Sequence, residues 1–157
     1  MKSFIVAAIL MATWATNAVS QTIATPLLNA KHFNLSKGLA LDGYDPVSYF
    51  NGSKPQRGKP AIKSTSDGVV YYFATAANRD LFNNNPNKYK PEYGGWCAYA
   101  MGANGEKVAV NPETFKLVNG KLYLFYNAFF NNTLNDWNKA EASLKGKADK
   151  NWKSIFK

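Results

Sequence analysis

A second cysteine is missing from these 157 residues, and so is a second histidine. With Cys97 alone, no disulfide can close within the chain and no Cys-x-x-Cys redox pair exists. The Cys/His ligand sets of structural zinc sites cannot be assembled either. His32 is the one imidazole, so it is the single histidine base available to a nucleophilic Cys or Ser, and it lies near the N-terminus. Ser48 has no adjacent histidine. Acidic side chains are scarce as well: 10 Asp and Glu stand against 19 Lys and Arg, a formal net charge of +9. No nucleic-acid-binding motif accompanies that charge. Residues 139–157 hold six Lys against Glu141 and Asp149. This composition reads as a solvated basic face, with an anionic partner at the basic C-terminal region as the alternative. Gly94-Gly95 lacks the Lys-Ser/Thr ending of a phosphate-binding loop. That pair reads instead as a tight entry into the next helix or a close backbone approach to a ligand.

What is present begins with MKSFIVAAILMATWATNAVS. One Lys precedes an apolar run from Phe4 to Trp14, and Ala18 and Ser20 place small residues before Gln21. This is the pattern of a cleavable secretory signal peptide over residues 1–20. The run is shorter than the roughly 20 residues a permanent membrane helix needs, so no stable membrane span is expected after cleavage. No cysteine follows the cleavage site, which argues against a lipid anchor there. The expected location is secreted or periplasmic. Removal of the leader takes away Lys2 alone, leaving 137 residues with a net charge of +8. That length suits one domain with its own core, held by packing and not by disulfides. Aromatic residues, 15% of the chain, can supply the packing.

Residues 21–40 read as an extended or loosely packed lead-in, and residues 41–157 as the domain. LDGYDPVSYF (41–50) is compact and aromatic, with Asp42 and Asp45 as turn caps. NGSKPQRGKP (51–60) is a loop. VVYYFA (69–74), after Asp67-Gly68, is a strand. Thr75 is placed to cap a helix over AANRDLF, which should stop within Asn83–Asn85 because Pro86 disfavours helical geometry before it. FKLVNGKLYLFY (115–126) predicts two strands joined by a type I′ turn at Asn119-Gly120. Leu122, Leu124 and Tyr126 share one face and Tyr123 and Phe125 the other, so both faces should be covered. Thr133 should cap a helix with Leu134, Trp137, Glu141 and Leu144 on one stripe, broken at Gly146. Ala148, Trp152, Ile155 and Phe156 form a second apolar face. Asp80 beside Arg79, and Asp149, read as surface or capping charges. The fold class is α+β, one small antiparallel sheet with several short helices.

The chemistry centres on YGGWCAYAMG (93–102). In a helix over 96–101, Cys97 and Met101 share a face one turn apart. Thiolate and thioether are soft ligands suited to copper(I), and His32 could complete a site if the lead-in folds back. Tyr93, Trp96 and Tyr99 are candidate pocket-lining residues for a metal or small ligand. The same residue types describe a core, because free Cys is commonly buried and Met fills gaps. A reactive thiol is the third reading, and it requires a base or positive neighbour. The sequence alone leaves all three open.

GYDPVSYF (43–50), GVVYYFATAANRDLF (68–82), NPNKYKPEYGGWCAYAMG (85–102), NPETFKLVNGKLYLFYN (111–127) and ADKNW (148–152) occur in that order. Together, from about Leu41 to Trp152, they resemble the exported branch of the YHS-domain family. The blocks Asn85–Gly102 and Gly120–Asn127 are the specific ones. The resemblance implies a small α+β domain, and relatives, including the TRASH-like domains, proposed to bind or sense metals. Those relatives carry several cysteines where this chain has one, and the chain has no contiguous Tyr-His-Ser triplet. The expectation is an exported, non-enzymatic module that binds a metal or small ligand near Cys97. The alternatives are a structural or partner-binding accessory domain with a buried Cys97 and no ligand, and, third, a thiol-dependent oxidoreductase.

Overall fold

The structure is a computed structural model that describes residues 30–52 and 54–156. The expected signal peptide and the first nine residues of the lead-in lie outside the described residues.

Two-residue turns set the local strand pairing. Lys37-Gly38 joins β1 (Leu35–Ser36) to β2 (Leu39–Ala40), and Asp67-Gly68 joins β3 (Lys59–Ser66) to β4 (Val69–Phe73). Asn119-Gly120 joins β5 (Asn111–Val118) to β6 (Lys121–Phe125), and Phe129-Phe130 joins β7 (Asn127–Ala128) to β8 (Asn131–Asn132). All eight central residues have positive φ, between 50° and 81°. That is the type I′ geometry whose twist matches the flanking strands. The turn expected at Asn119-Gly120 is therefore present.

The α+β class holds. The strands divide into a four-stranded sheet of order β1-β2-β4-β3 and the two separate hairpins β5-β6 and β7-β8. One pairing departs from the expected antiparallel pattern: β2 runs parallel to β4 at Leu39↔Val70. The end of the lead-in is thus part of the sheet, because the Lys37-Gly38 turn returns Leu39 and Ala40 to β4, where Ala40 is buried.

The strand β6 separates two cores. Leu122 and Leu124 join Val47, Tyr49, Tyr71, Phe73 and Phe82 on one side. Tyr123 and Phe125 join Tyr93, Met101, Trp137 and Ala148 on the other. Strand alternation sends successive side chains to opposite faces, and here both faces are covered, as the sequence pattern predicts.

Helix α1 (Ala76–Asn84) begins where expected, with Thr75 Oγ1 accepting from the Asn78 N–H at 3.1 Å. It stops before Pro86, which opens α2 (Pro86–Tyr89) at a position where a missing N–H does no harm. Helix α3 (Ala98–Ala103) starts one residue after Cys97. Two expectations fail in the last third. Asn132, not Thr133, caps α4 (Thr133–Lys139), its side chain accepting from the Leu134 N–H at 3.1 Å. The chain breaks at Ala140 (φ −146°), and α5 (Glu141–Ser154) runs straight through Gly146. A helical Gly costs about 1 kcal/mol against Ala, which the packing of Leu144, Ala148 and Trp152 into the second core can outweigh. Ile155 joins that core too, whereas Phe156 stays 46% exposed at its rim.

Asp45 caps a turn as expected, accepting from the Val47 N–H at 2.8 Å. Asp42 does not; it faces the Arg57 guanidinium instead. Asp149 is more than a surface charge, since it accepts from the Tyr93 hydroxyl at 2.8 Å and pairs with Lys145. Among the described residues no helix is long and apolar enough to cross a membrane.

Candidate functional site

Cys97 is positioned by the turn before it and the strand beside it. Tyr93, Gly94 and Gly95 take consecutive left-handed conformations, turning the chain back along β6. A Cβ on Gly94 would lie 2.8 Å from the Trp152 ring and 3.2 Å from Phe33 Cα, so the close approach at this glycine is to the protein's own core. Trp96 is then extended and outside the helix. Cys97 donates its N–H to Val108 O at 2.9 Å and bridges to Leu124 of β6.

The Cys97 thiol is buried, and both of its hydrogen-bonding roles are used. Its sulfur accepts from the Tyr126 N–H at 3.4 Å and lies 3.3 Å from Thr133 Oγ1. Thr133 Oγ1 is also 3.0 Å from Tyr126 O, and a carbonyl can only accept. The Thr133 proton therefore points to Tyr126 O, and the S–H donates to Thr133 Oγ1. The displaced cap explains this arrangement. With Asn132 serving the helix end, Thr133 is free to turn inward and tie Cys97 to the end of β6.

The other sequence-nominated residues occupy different surroundings. Met101 N–H bonds Cys97 O at 3.0 Å, so the two residues are one turn apart. Their side chains part, however, because Met101 packs into the aromatic core with Tyr93, Tyr123 and Trp137. His32 is near Trp96, whose indole N–H donates to the His32 carbonyl at 2.6 Å. Its ring packs at a tilt of 59° against Phe156, with centroids 5.0 Å apart, and its Nδ1 lies 3.2 Å from Lys107 Nζ. An ammonium can only donate, so Nδ1 accepts and the ring is neutral in this contact. Desolvation, then Lys107 and Lys31, hold the His32 pKa below its ordinary value. Tyr93 is buried with its hydroxyl on Asp149; burial first, and that bond second, raise its pKa well above the ordinary phenol value. Among the described residues, no group of three His, Cys, Asp or Glu side chains is arranged to hold a metal ion.

Tyr99 alone of the three aromatic candidates lines a cleft that includes Cys97. This cleft has a volume of about 320 Å³. Tyr99, Ala100, Ala103, Val108 and Tyr126 form its walls, Cys97 and Thr133 its base, and Asn104, Glu106 and Asn131 its polar rim. Tyr93 belongs to a different cleft, of about 270 Å³, where Glu92 pairs with Lys121 and Asp149 with Lys145. Its carboxylates are already matched by lysines. The Cys97 cleft is the larger, and it combines apolar walls with a few polar groups, which is the usual make-up of a ligand pocket.

Beside it stands a feature the sequence reading passed over. Phe129 and Phe130, at the tip of the β7-β8 hairpin, are 91% and 113% exposed. The local signal was there: two adjacent Phe break the alternation of the preceding strand and sit among Asn127, Asn131 and Asn132. Thr133 and Tyr126 were likewise missed as partners of Cys97, since only the fold brings them together. No family model, curated protein or solved structure matches the chain.

Proposed function

We propose that this chain is an exported YHS-like binding module that acts without catalysis and takes an apolar, ring-sized group of its ligand into the cleft over Cys97. One observation carries this reading: a cleft of about 320 Å³ with aromatic and aliphatic walls and an amide-rich rim. Such walls gain from covering apolar surface, and the rim amides and Glu106 can orient whatever enters. Cys97 is a structural thiol in this proposal. A nucleophilic sulfur wants a base, and its polar neighbours here are a hydroxyl and a backbone amide. A soft metal would have to displace the S–H proton and the Tyr126 N–H contact, and to draw the Met101 thioether out of an aromatic core.

The test is a titration with p-cresol, followed by amide chemical shifts. Saturable shifts confined to 99–108 and 126–133 are expected, and Ala103→Trp, which fills the cleft, should abolish them. Shifts absent, or scattered over the surface without saturation, would overturn the proposal.

A further inference from the structure

The chain contains its own control for the Phe129-Phe130 turn. Four hairpins share the same two-residue geometry with positive φ at both central positions. In three of them the second residue is Gly, the residue that adopts this conformation without steric cost. Only the fourth uses two bulky L-residues, with φ 50° at Phe129 and 63° at Phe130. Backbone strain and full exposure of two aromatic rings both oppose the isolated fold, and such strain collects at sites of recognition. The tip and the Cys97 cleft are neighbours: Tyr126, Asn131 and Thr133, on either side of the tip, line the cleft, while the two Phe rings do not. The rings therefore project from the rim of a ring-sized cleft.

A surface bearing both a projecting ring and a recess for one is self-complementary, because a two-fold axis sends each tip into the other copy's cleft. We infer that the Phe129-Phe130 tip docks into the Cys97 cleft of a second copy of this chain, forming a symmetric dimer. This inference rests on the cleft's taking apolar groups, as proposed above, and it names the occupant. The area suits a reversible dimer. Four rings of about 200 Å² each, with the cleft walls they cover, reach about 1,000 Å², the size of a weak, reversible interface. Charge does not oppose it. Among the described residues, Glu106 is the one charged residue that lines the cleft, and Asn104 and Asn131 complete its polar rim.

The decisive variant replaces the tip by the chain's own turn sequence, Phe129→Asn with Phe130→Gly. It should melt no lower than wild type, so loss of folding cannot explain its behaviour. Sedimentation equilibrium should show a reversible wild-type dimer with a micromolar dissociation constant. Tip replacement should weaken it by about tenfold or more, as for loss of a hot spot, and Ala103→Trp should do the same. A wild-type chain that stays monomeric up to millimolar concentration would overturn the inference, as would a tip variant that dimerises unchanged. Monomeric wild type that binds anionic phosphatidylglycerol vesicles through the tip would overturn it in favour of a membrane. Monomeric wild type whose cleft still binds p-cresol saturably would sink the dimer and leave the binding-module reading standing.

Discussion

Asn78 Nδ2 donates to Asp45 Oδ2 at 2.7 Å, joining helix α1 to a turn 33 residues earlier in the chain. The same oxygen accepts from the Ala74 N–H at 2.8 Å, and the other oxygen from the N–H groups of Val47 and Ser48. Asp45 is fully buried, so one carboxylate satisfies donors from the 45–48 turn, the end of β4 and α1. Asp45→Ala would leave several donors without partners, each at a cost of about 1–3 kcal/mol. A loss of about 3 kcal/mol or more in urea unfolding is expected. Asp45→Asn keeps one acceptor oxygen and should lose less. Equal stability of Asp45→Ala and wild type would contradict this role.

Two glycines separate backbone strain from crowding. At Gly120 (φ +72°) an added Cβ meets nothing within 4 Å, so Gly120→Val acts through φ alone, at about 1–3 kcal/mol. At Gly94 (φ +61°) a Cβ would also strike Trp152 and Phe33. Gly94→Ala should therefore cost more than Gly120→Ala, measured as the difference in melting midpoints. The reverse order would mean that the second core yields easily around Trp152.

Much of the architecture was legible because it is local. Thr75 before an apolar-periodic run, Pro86 after it, and Asn119-Gly120 between alternating strands each act within a few residues. The alternation in 121–125 even foretold two covered faces, whereas Tyr126, expected beside Leu122 and Leu124, lies past the strand and lines the cleft. What the sequence could not show depends on competition and distance. Asn132 and Thr133 are both good caps, and Thr133 is drawn away by Tyr126 O and Cys97, neither of them a sequence neighbour in α4. Gly146 is a weak breaker overruled by packing on either side. At the site, Cys97 and Met101 do share a helical turn, but the spacing says nothing about their side chains turning to different neighbours.

Acid should unfold the domain partly through Glu141. Its carboxylate bonds Lys116 and accepts from the Trp137 indole N–H at 3.0 Å. The Lys116 bond, with help from Trp137, holds its pKa below the ordinary value of 4.5. A depressed carboxylate pKa means that the folded state binds its proton less tightly than the unfolded chain. Its stabilisation is therefore complete above about pH 4.5 and fades as pH falls through the folded-state pKa. Glu141→Gln removes this titration. Between pH 6 and pH 3 its melting midpoint should fall less than that of wild type. Parallel curves for the two proteins would exclude the contribution.

The last prediction returns to the thiol. If Cys97 is structural, its sulfur is sealed under the cleft with both hydrogen-bonding roles filled, and 5,5′-dithiobis(2-nitrobenzoate) should react only as the protein unfolds. Cys97→Ala leaves the Tyr126 N–H without its acceptor and opens a small void, a loss of about 1–3 kcal/mol. Thr133→Val removes both the acceptor of the S–H and the donor to Tyr126 O, and should cost about as much. The two changes act on one network, so the double variant should lose less than the two single losses combined. Copper(I) distinguishes the competing site. A ligand that binds only the folded state raises the melting midpoint in proportion to the logarithm of its concentration once above the dissociation constant. With Cys97 structural, copper(I) gives no such rise, and Met101→Leu changes nothing in its presence. A saturable rise that both Cys97→Ser and Met101→Leu abolish would instead establish a soft-metal site, and with it a rearrangement that frees the thiol from Thr133.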